Sequence, residues 1–279
     1  MTEKAYAKVN LTLDVINRRE DGYHNVKMVM QAIDLYDEVS VELGNGGIEI
    51  TSDSPAVPCN EKNIAYKAAK LMLDIAKSDA GVRIHIAKRI PVCAGLAGGS
   101  TDGAAVIVLL NKLLNLNLTS EELMKISSPL GADVPFCIMG GTALAEDIGT
   151  HLAPLPNFKE TVFLLVKPPI DVSTPWVYKN LDLGSVVHPD VDGFLSKLAS
   201  GSFEDIHSCM GNVLESVTVR EYPVIDDIKK KMLELGGRFS MMSGSGPTVF
   251  GMFDNVCKAQ EAKDYFDTIF NEVIITKTV

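Results

Sequence analysis

A glycine-rich stretch in the first half of the chain has the composition of a phosphate-binding loop. Residues 90–102 read Ile-Pro-Val-Cys-Ala-Gly-Leu-Ala-Gly-Gly-Ser-Thr-Asp, and an apolar run follows them. Glycine lets a ligand approach the backbone closely, and the free amides and dipole at a helix start attract negative charge. Neither the Lys-Ser/Thr ending of a P-loop nor the spacing of a dinucleotide fingerprint is present. We therefore predict a phosphate cradle; the alternative is an ordinary tight turn between a strand and a helix.

Polar side chains at alternate positions near the amino terminus are a second candidate. Residues 5–15 carry apolar side chains at the odd positions and polar ones at the even positions. This period of two is typical of a half-buried strand, so Lys8, Asn10 and Thr12 would share one face. That face is either part of a site or simply solvated.

Three further features carry residues that do chemistry in other proteins. Tyr23 and His24 follow a turn-like stretch, and His24 is either structural or catalytic. Asp133 lies between small residues before Val-Pro-Phe, where it is either functional or only an Asx turn or helix cap. Residues 240–248, Ser-Met-Met-Ser-Gly-Ser-Gly-Pro-Thr, form a second glycine loop, with a plain turn as the alternative. Two glycine loops beside hydroxyl side chains favour an anionic ligand.

The hydrophobic periodicity predicts the elements that position these residues. Strands are predicted at 5–15, 26–35, 39–43, 48–51, 82–86, 142–145, 162–166, 248–253 and 272–277. Helices are predicted at 61–77 with Asn60 as N-cap, from Ser100–Asp102 to about residue 115, from a Thr119–Glu122 capping box to before Pro129, after Thr174, and at 191–199, 203–214, 224–235 and 256–270. The closely spaced early strands predict an antiparallel meander.

Composition excludes several classes of protein. A chain of 279 residues with 46% hydrophobic and 22% charged residues has enough apolar material for a sizeable core. A net charge of −10 argues against nucleic-acid or anionic-membrane binding. The five cysteines include no C-x-x-C pair, which is typical of a reduced intracellular protein. No signal peptide opens the chain and no run of about 18 apolar residues is present, so we expect a cytoplasmic protein with neither nucleic-acid nor membrane partners.

Four stretches together resemble the galactokinase, homoserine kinase, mevalonate kinase and phosphomevalonate kinase (GHMP kinase) superfamily. They are the strand bearing Lys8, the loop 91–102, Gly-Ala-Asp-Val-Pro-Phe at 131–136, and residues 242–248. The match is closer still to the branch that phosphorylates 4-diphosphocytidyl-2-C-methyl-D-erythritol, through residues 7–11, 21–24, 94–100, 133–137 and 242–250. The similarity runs through essentially the whole chain in the right order, and the ordered set is far more specific than any one motif.

The resemblance implies an α+β protein with the two-domain GHMP kinase fold. Residues 1–154 would form an ATP-binding amino-terminal domain, ribosomal protein S5 domain 2-like, and residues 155–279 a ferredoxin-like carboxy-terminal domain. The proline-containing stretch 152–159 is the expected boundary. The implied reaction is ATP-dependent phosphorylation of the 2-hydroxyl of 4-diphosphocytidyl-2-C-methyl-D-erythritol, with Mg²⁺, in the non-mevalonate isoprenoid pathway. The protein would act as a monomer or a homodimer.

The resemblance also implies roles for single residues. Asp133 matches the catalytic base, and Lys8 the second catalytic residue, whose ammonium would keep Asp133 ionised and polarise the hydroxyl. Tyr23 and His24 match a cytidine-recognising pair, with Tyr178 as the opposing aromatic ring. The implied ATP-binding residues are Asn63 on the adenine side and Pro91, Val92, Cys93, Ala94, Gly95, Leu96, Ala97, Gly98, Gly99, Ser100 and Thr101 around the phosphates. The implied substrate-binding residues are Asn10, Tyr23, His24, Thr174, Tyr178, Gly244, Ser245 and Gly246.

The chain departs from the family pattern at three places. Tyr6 stands where the family usually has proline, and Gly103 replaces an alanine in the loop helix, at a cost of up to about 1 kcal/mol. Glu146 and Asp147 stand where the family shows glycines and an arginine, and two carboxylates there would weaken anion binding. The alternatives are therefore a family kinase with another alcohol substrate, or a non-catalytic nucleotide-binding homologue, against which the retained Lys8 and Asp133 speak.

Overall fold

Two long paired strands open the chain. Strand β1 (Thr2–Arg18) turns at residues 19–23 into β2 (His24–Gly44), which pairs with it. The computed structural model describes all 279 residues. The two strands predicted at 26–35 and 39–43 are one continuous strand, because residues 36–38 contain neither glycine nor proline to interrupt it.

Both faces of β1 are buried, so the prediction of a half-buried strand is wrong. The odd-numbered apolar residues are buried as expected, but Lys8 is only 4% exposed and Asn10 and Thr12 are fully buried. The second face is covered because residues 211–213 pair with Leu13 and the second glycine loop approaches Asn10. The solvated-face alternative is therefore excluded.

The chain divides into two compact units, and β1 and β2 contribute to both. The first unit comprises residues 1–7, 35–92 and 97–140, and the second comprises residues 8–34, 93–96 and 141–279. The helices and strands that follow β2 in the first unit are β3 (Ile48–Ser52), α1 (Ile64–Ala76), β4 (Gly81–Ala87), α2 (Gly98–Leu113), α3 (Ser120–Ser127) and α4 (Val134–Met139). Those of the second unit are β5 (Thr142–Glu146), β6 (His151–Pro154), β7 (Val162–Lys167), α5 (Thr174–Lys179), α6 (Val191–Ser200), α7 (Glu215–Glu221), α8 (Val224–Glu234), β8 (Phe239–Met242), β9 (Val249–Phe253), α9 (Val256–Phe266) and β10 (Glu272–Lys277).

Helices cover a sheet in the first unit. Residues 38–44 of β2 pair antiparallel with β4, and β3 pairs parallel with β4. The predicted meander therefore stops at β2, because parallel strands need a crossover and α1 supplies it. Helices α1 and α2 pack against each other, and the core they share with the sheet includes Ala68, Met72, Val106, Leu110 and Ile84.

Helix α1 starts later than predicted. Asn63 rather than Asn60 is its N-cap, since the Asn63 Oδ1 accepts from the Ala65 amide at 2.9 Å. Asn60 instead accepts from the Lys62 amide in the preceding turn. The buried face of α1 is formed by Ala65, Ala68, Ala69 and Met72, whereas Ile75 is exposed.

Helix α2 starts earlier than predicted. Its N-cap is Ala97, which has a left-handed φ of 60° and makes no side-chain capping bond. Ser100, Thr101 and Asp102 therefore lie within the helix, where their hydroxyl and carboxyl groups do not cap it. The predicted Thr119–Glu122 capping box of α3 is confirmed.

The second unit contains an antiparallel four-stranded sheet with the order β10-β7-β9-β8. When the four strands are numbered by their order in the chain, their order in the sheet is 4-1-3-2. Along the chain, α8 lies between β7 and β8, and α9 lies between β9 and β10. The ferredoxin-like expectation is therefore confirmed. Residues 28–31 of β2 also pair with β5, which pairs with β6. No helix of the chain combines the length and the apolar character that a membrane crossing requires.

The helix predicted at 203–214 is wrong. Only residues 206–209 form a short 3-10 turn, and residues 211–213 run extended beside β1. Gly211 and Asn212 interrupt the apolar periodicity, and helix α7 begins only at Glu215. Strand β8 was not predicted, because its residues were assigned to the second glycine loop.

Candidate active site

The end of the first glycine loop presents backbone amides at a helix start. Cys93, Gly95 and Ala97 have positive φ angles of 54°, 72° and 60°, and such alternating left-handed residues are found in anion-binding turns. The first helical bond of α2 runs from the Thr101 amide to the Ala97 carbonyl. The preceding amides of the helix therefore have no acceptor within it, and this arrangement suits a phosphate group.

The turn that carries Asp133 packs against the same helix start within the first unit. A Cβ built on Gly131 would lie 3.8 Å from the Ser100 Oγ and 3.9 Å from the Ile64 Cδ1. Asp133 is the N-cap residue of α4, but its carboxylate makes no capping bond to that helix. The helix-cap alternative for this side chain is therefore wrong.

Asn63 lies at the start of the helix that packs on α2, and its side chain is engaged there. Besides accepting from the Ala65 amide, its Nδ2 donates to the Pro58 carbonyl at 2.8 Å. Its role beside adenine stays a prediction, since both ends of the side-chain amide hold the backbone around it.

A buried cluster of three charged residues holds both ends of the glycine loop in the first unit. The Lys88 Nζ donates to Asp37 at 2.5 Å and to Asp102 at 2.9 Å. The other Asp37 oxygen accepts from the Arg89 and Ile90 amides, at 2.6 and 2.8 Å. The cluster therefore joins β2, the segment that enters the loop, and the helix that leaves it.

One ammonium faces two carboxylates in this cluster, so their charges are not balanced. Burial, and secondarily the charge of Asp37, raises the pKa of Asp102 to about 7, although Lys88 opposes the shift. Burial lowers the pKa of Lys88, but Asp102 and Asp37 together more than offset this and raise it above its usual value. The Asp102 Oδ1 is buried without a hydrogen-bond partner. Asp102 therefore gains or loses its proton near neutral pH rather than near pH 4.

In the second unit, Asn10 orients the ammonium of Lys8. The Lys8 Nζ donates to the Asn10 Oδ1 at 2.8 Å, and the Asn10 Nδ2 contacts the Met28 Sδ at 3.2 Å. Lys8 is 4% exposed and Asn10 is fully buried, so this hydrogen bond fixes the position of the ammonium. The structure therefore brings together two of the predicted residues of β1.

The two glycine loops meet within the second unit. The Ser243 hydroxyl donates to the Gly95 carbonyl at 3.0 Å, and a Cβ at Gly95 would lie only 2.3 Å from the Ser243 carbonyl oxygen. A Cβ at Gly244 would lie 3.3 Å from the Gly95 carbonyl oxygen and 3.6 Å from the Asn10 Oδ1. The second loop therefore packs beside Gly95 and Asn10, two of the predicted site residues.

An aromatic pair forms from two of the three predicted rings. The rings of His24 and Tyr178 have centroids 5.2 Å apart and an interplanar angle of 38°, whereas Tyr23 is 63% exposed. Burial, and then the charge of Arg18, lowers the pKa of His24. Its neutral ring has one donor and one acceptor nitrogen, which suits recognition of a base edge.

A hydrogen bond between two hydroxyl groups links α5 to the second glycine loop. The Thr174 and Ser245 hydroxyls are 2.7 Å apart.

Sequence reasoning missed Asp37, Lys88 and Asn212. Asp37 could have been found from the sequence, because Leu35, Val39 and Val41 are apolar at alternate positions and Asp37 occupies the same buried face of the strand. Lys88 directly precedes the loop, but nothing in its neighbours indicates burial. Asn212 was hidden by the incorrect helix prediction at 203–214.

Family models match both parts of the chain. The model of the GHMP kinases N terminal domain matches residues 63–141, and that of the GHMP kinases C terminal matches residues 194–271. These ranges contain the first glycine loop, Asp133 and the second glycine loop.

Named relatives match over the full length. The 4-diphosphocytidyl-2-C-methyl-D-erythritol kinase of Clostridium botulinum is 49% identical over 280 residues and covers 100% of both chains. The kinase of the same name from Acetivibrio thermocellus is 50% identical over 277 residues, covering 99% of this chain and 98% of its own. A crystal structure of 4-(cytidine 5'-diphospho)-2C-methyl-D-erythritol kinase is 33% identical, with a TM-score of 0.85, over 100% of this chain and 99% of that one. The chain therefore belongs to the GHMP kinase family, and within it to the family of the 4-diphosphocytidyl-2-C-methyl-D-erythritol kinases.

Proposed function

We propose that this protein transfers the γ-phosphate of ATP to the 2-hydroxyl of 4-diphosphocytidyl-2-C-methyl-D-erythritol, in the synthesis of isoprenoid precursors. The observation that carries the proposal is the 49% identity to a kinase of that name over the whole of both chains. The proposed activity is that of an alcohol phosphotransferase. The residues that such a reaction needs are present in the chain.

In this proposal Asp133 accepts the proton of the attacking hydroxyl. Phosphoryl transfer depends mainly on positioning and on stabilising the charge of the transferred group. The Lys8 ammonium supplies positive charge to the hydroxyl and to the base. The burial of Lys8 and its bond to Asn10 support this role, because they fix the ammonium in one orientation.

ATP binds in this proposal with its phosphates at residues 91–101. The open amides at the start of α2 support this, as does the absence of a side-chain cap at Ala97. Mg²⁺ would accompany the nucleotide and would neutralise part of the phosphate charge. No group of three or more His, Cys, Asp or Glu side chains forms a metal site. The residues present fit an ion held mainly by substrate phosphates and water, as is common for Mg²⁺.

The cytidine end of the substrate would be recognised by His24 and Tyr178, with Tyr23, Thr174 and residues 244–246 completing the substrate site. The unusual pair Glu146 and Asp147 is compatible with this. Asp147 has a left-handed φ of 56° in the turn between β5 and β6, and its carbonyl accepts from the Val26 amide at 2.7 Å. Aspartate tolerates that conformation, so the residue has a structural reason to be there.

A substrate panel tests the proposal. Purified protein is incubated with Mg²⁺-ATP and, separately, the cytidine-diphosphate alcohol, mevalonate, homoserine or galactose. We expect rapid phosphorylation of the cytidine-diphosphate alcohol alone. Transfer only to another alcohol would replace the proposed substrate, and nucleotide binding without transfer to any alcohol would contradict the kinase assignment.

A further inference from the structure

An extended segment outside the predicted site joins β1 to the second glycine loop. The Leu13 amide donates to the Gly211 carbonyl at 2.8 Å, and the Val213 amide donates to the Leu13 carbonyl at 3.1 Å. Asn212 faces Leu13 in this short parallel bridge. The segment is therefore anchored on the strand that carries Lys8 and Asn10.

The side chain of Asn212 holds the second glycine loop. Its Nδ2 donates to the Met242 and Gly244 carbonyls, both at 2.8 Å, and its Oδ1 accepts from the Leu214 amide at 3.0 Å. Asn212 is 7% exposed. Because two carbonyls face one end of the amide and an N–H faces the other, the orientation of the group is fixed by its partners.

The loop held in this way touches residues that the proposed reaction uses. Gly244 has a left-handed φ of 57°, and a Cβ there would lie 3.6 Å from the Asn10 Oδ1, which is the oxygen that accepts from Lys8. Ser243, between the two carbonyls, donates to Gly95 of the first glycine loop. A shift of the loop would therefore change the packing beside the Asn10 oxygen that holds the Lys8 ammonium.

We propose that Asn212 is a positioning residue for phosphoryl transfer: by fixing the carbonyls of Met242 and Gly244, it sets the second glycine loop against Asn10 and Gly95. The inference rests on the proposed function, which makes Lys8 and the loop parts of one reaction. Asn212 touches neither substrate in this scheme and acts only through the backbone of the loop.

The substitution Asn212→Asp tests this role most directly. It keeps the size of the side chain and the acceptor for Leu214, but it places a carboxylate oxygen against two carbonyls that have lost their donor. Buried acceptors without a donor are unfavourable, so the loop would move away from its position.

Asn111 supplies a matched control. It is a half-buried asparagine of α2 whose Nδ2 donates to the Leu118 carbonyl and whose Oδ1 accepts from the Leu118 amide, both at 3.0 Å. It contacts neither glycine loop through its side chain. Asn111→Asp therefore removes a comparable internal donor without the proposed effect on catalysis.

The experiment compares kcat, KM, Tm and amide hydrogen exchange in wild type, Asn212→Asp and Asn111→Asp. We expect a lower Tm in both variants. Only Asn212→Asp should lower kcat, by roughly 10- to 100-fold at saturating concentrations of both substrates, because misplacement of about 1 Å has effects of this size. Peptides covering residues 240–248 should exchange faster in this variant alone. An unchanged kcat in folded Asn212→Asp, or an equal loss in both variants, would overturn the inference.

Two further measurements separate a failure of this inference from a folding defect and from a failure of the proposed function. If Asn212→Asp does not fold, Asn212→Ser, which keeps one hydroxyl donor, should show a smaller loss of kcat and the same local increase in exchange; normal kcat and exchange in it would count against the inference. If the wild type transfers no phosphate to the cytidine-diphosphate alcohol, the proposed function fails. The exchange data then still decide whether Asn212 holds the loop.

Discussion

Lys8 and Asp133 carry the proposed chemistry at the scale of single residues. Asp133→Asn removes the base while keeping the shape of the side chain, and Lys8→Met removes the ammonium with little change in volume. We expect each variant to lower kcat by about 10²–10⁴-fold with a smaller change in KM, as is typical for loss of a general base or a charge-stabilising group. Steady-state kinetics with both substrates varied measure this.

Asp74 provides the control for these variants, since it is an exposed carboxylate on α1. Asp74→Asn should leave kcat unchanged. Near-normal turnover in folded Asp133→Asn would show that another group accepts the proton and would refute the assigned role.

Asp102 predicts a pH dependence of stability. Its pKa is about 7 in the folded protein and 3.8 for an ordinary aspartate. Below the ordinary value both states hold the proton; between the two values the unfolded chain loses it while the folded protein keeps it, so this group lowers the free energy of unfolding as pH rises. Asp102→Asn removes the effect, so the variant should gain about 3 kcal/mol relative to wild type between pH 5 and pH 8.

Urea unfolding of wild type and Asp102→Asn at pH 5 and pH 8 measures this difference. Asn keeps the size of the side chain and leaves Lys88 paired with Asp37, so titrating groups outside this cluster cancel in the comparison. A difference between the two proteins that does not change with pH would mean that Asp102 is ionised in the folded state throughout this range.

Close packing between α1 and α2 explains Gly103 at the scale of the elements. A Cβ at this position would lie 2.5 Å from the Ile64 Cγ2. An alanine there would gain up to about 1 kcal/mol of helix propensity, but overpacking of a core contact typically costs about 1–3 kcal/mol. We therefore expect Gly103→Ala to lower the free energy of unfolding.

A second substitution, Ile64→Leu, removes the Cγ2 branch that a Cβ at position 103 would meet. We expect Gly103→Ala and Ile64→Leu together to be more stable than the sum of their separate effects predicts, because the two residues are in contact. Denaturant unfolding of the two single variants and the double variant measures the coupling. Additive effects would show that the contact with Ile64 does not explain the glycine.

The strands and helices with clear periodicity could be predicted from the sequence, and their boundaries less well. The positions of strands β1, β4, β7 and β10 are confirmed, because their alternating or continuous apolar patterns are local properties, whereas the burial of both faces of β1 was not predicted. The start of α2 was not predictable, since it depends on the left-handed conformation of Ala97, an unusual residue for it. The extended segment at 211–213 was missed because its partner, Leu13, is about 200 positions away in the chain, and only the folded protein brings them together.

The candidate site was predictable to a similar extent. The glycine loops, Lys8 and Asp133 stand out through motif order, whereas their supports Asp37, Lys88 and Asn212 have no local motif. The individual roles of the site residues stay predictions until variants are measured.

At the scale of the whole molecule, the ferredoxin-like order of the second sheet agrees with the full-length match to the named relatives. The division into an ATP-binding domain at 1–154 and a second domain at 155–279 stays a prediction, as do the cytoplasmic location and the monomeric or homodimeric state. The chemistry assigned to the protein nonetheless has a direct test that depends on none of these.

That test is a single-turnover experiment with excess enzyme, γ-labelled ATP with Mg²⁺, and 4-diphosphocytidyl-2-C-methyl-D-erythritol, quenched over time. The label should appear on the 2-hydroxyl of the alcohol in one fast phase, and Asp133→Asn should slow that phase by about 10²–10⁴-fold. Label that stays on ATP or passes only to water in the presence of the alcohol would show that the protein does not catalyse the proposed transfer.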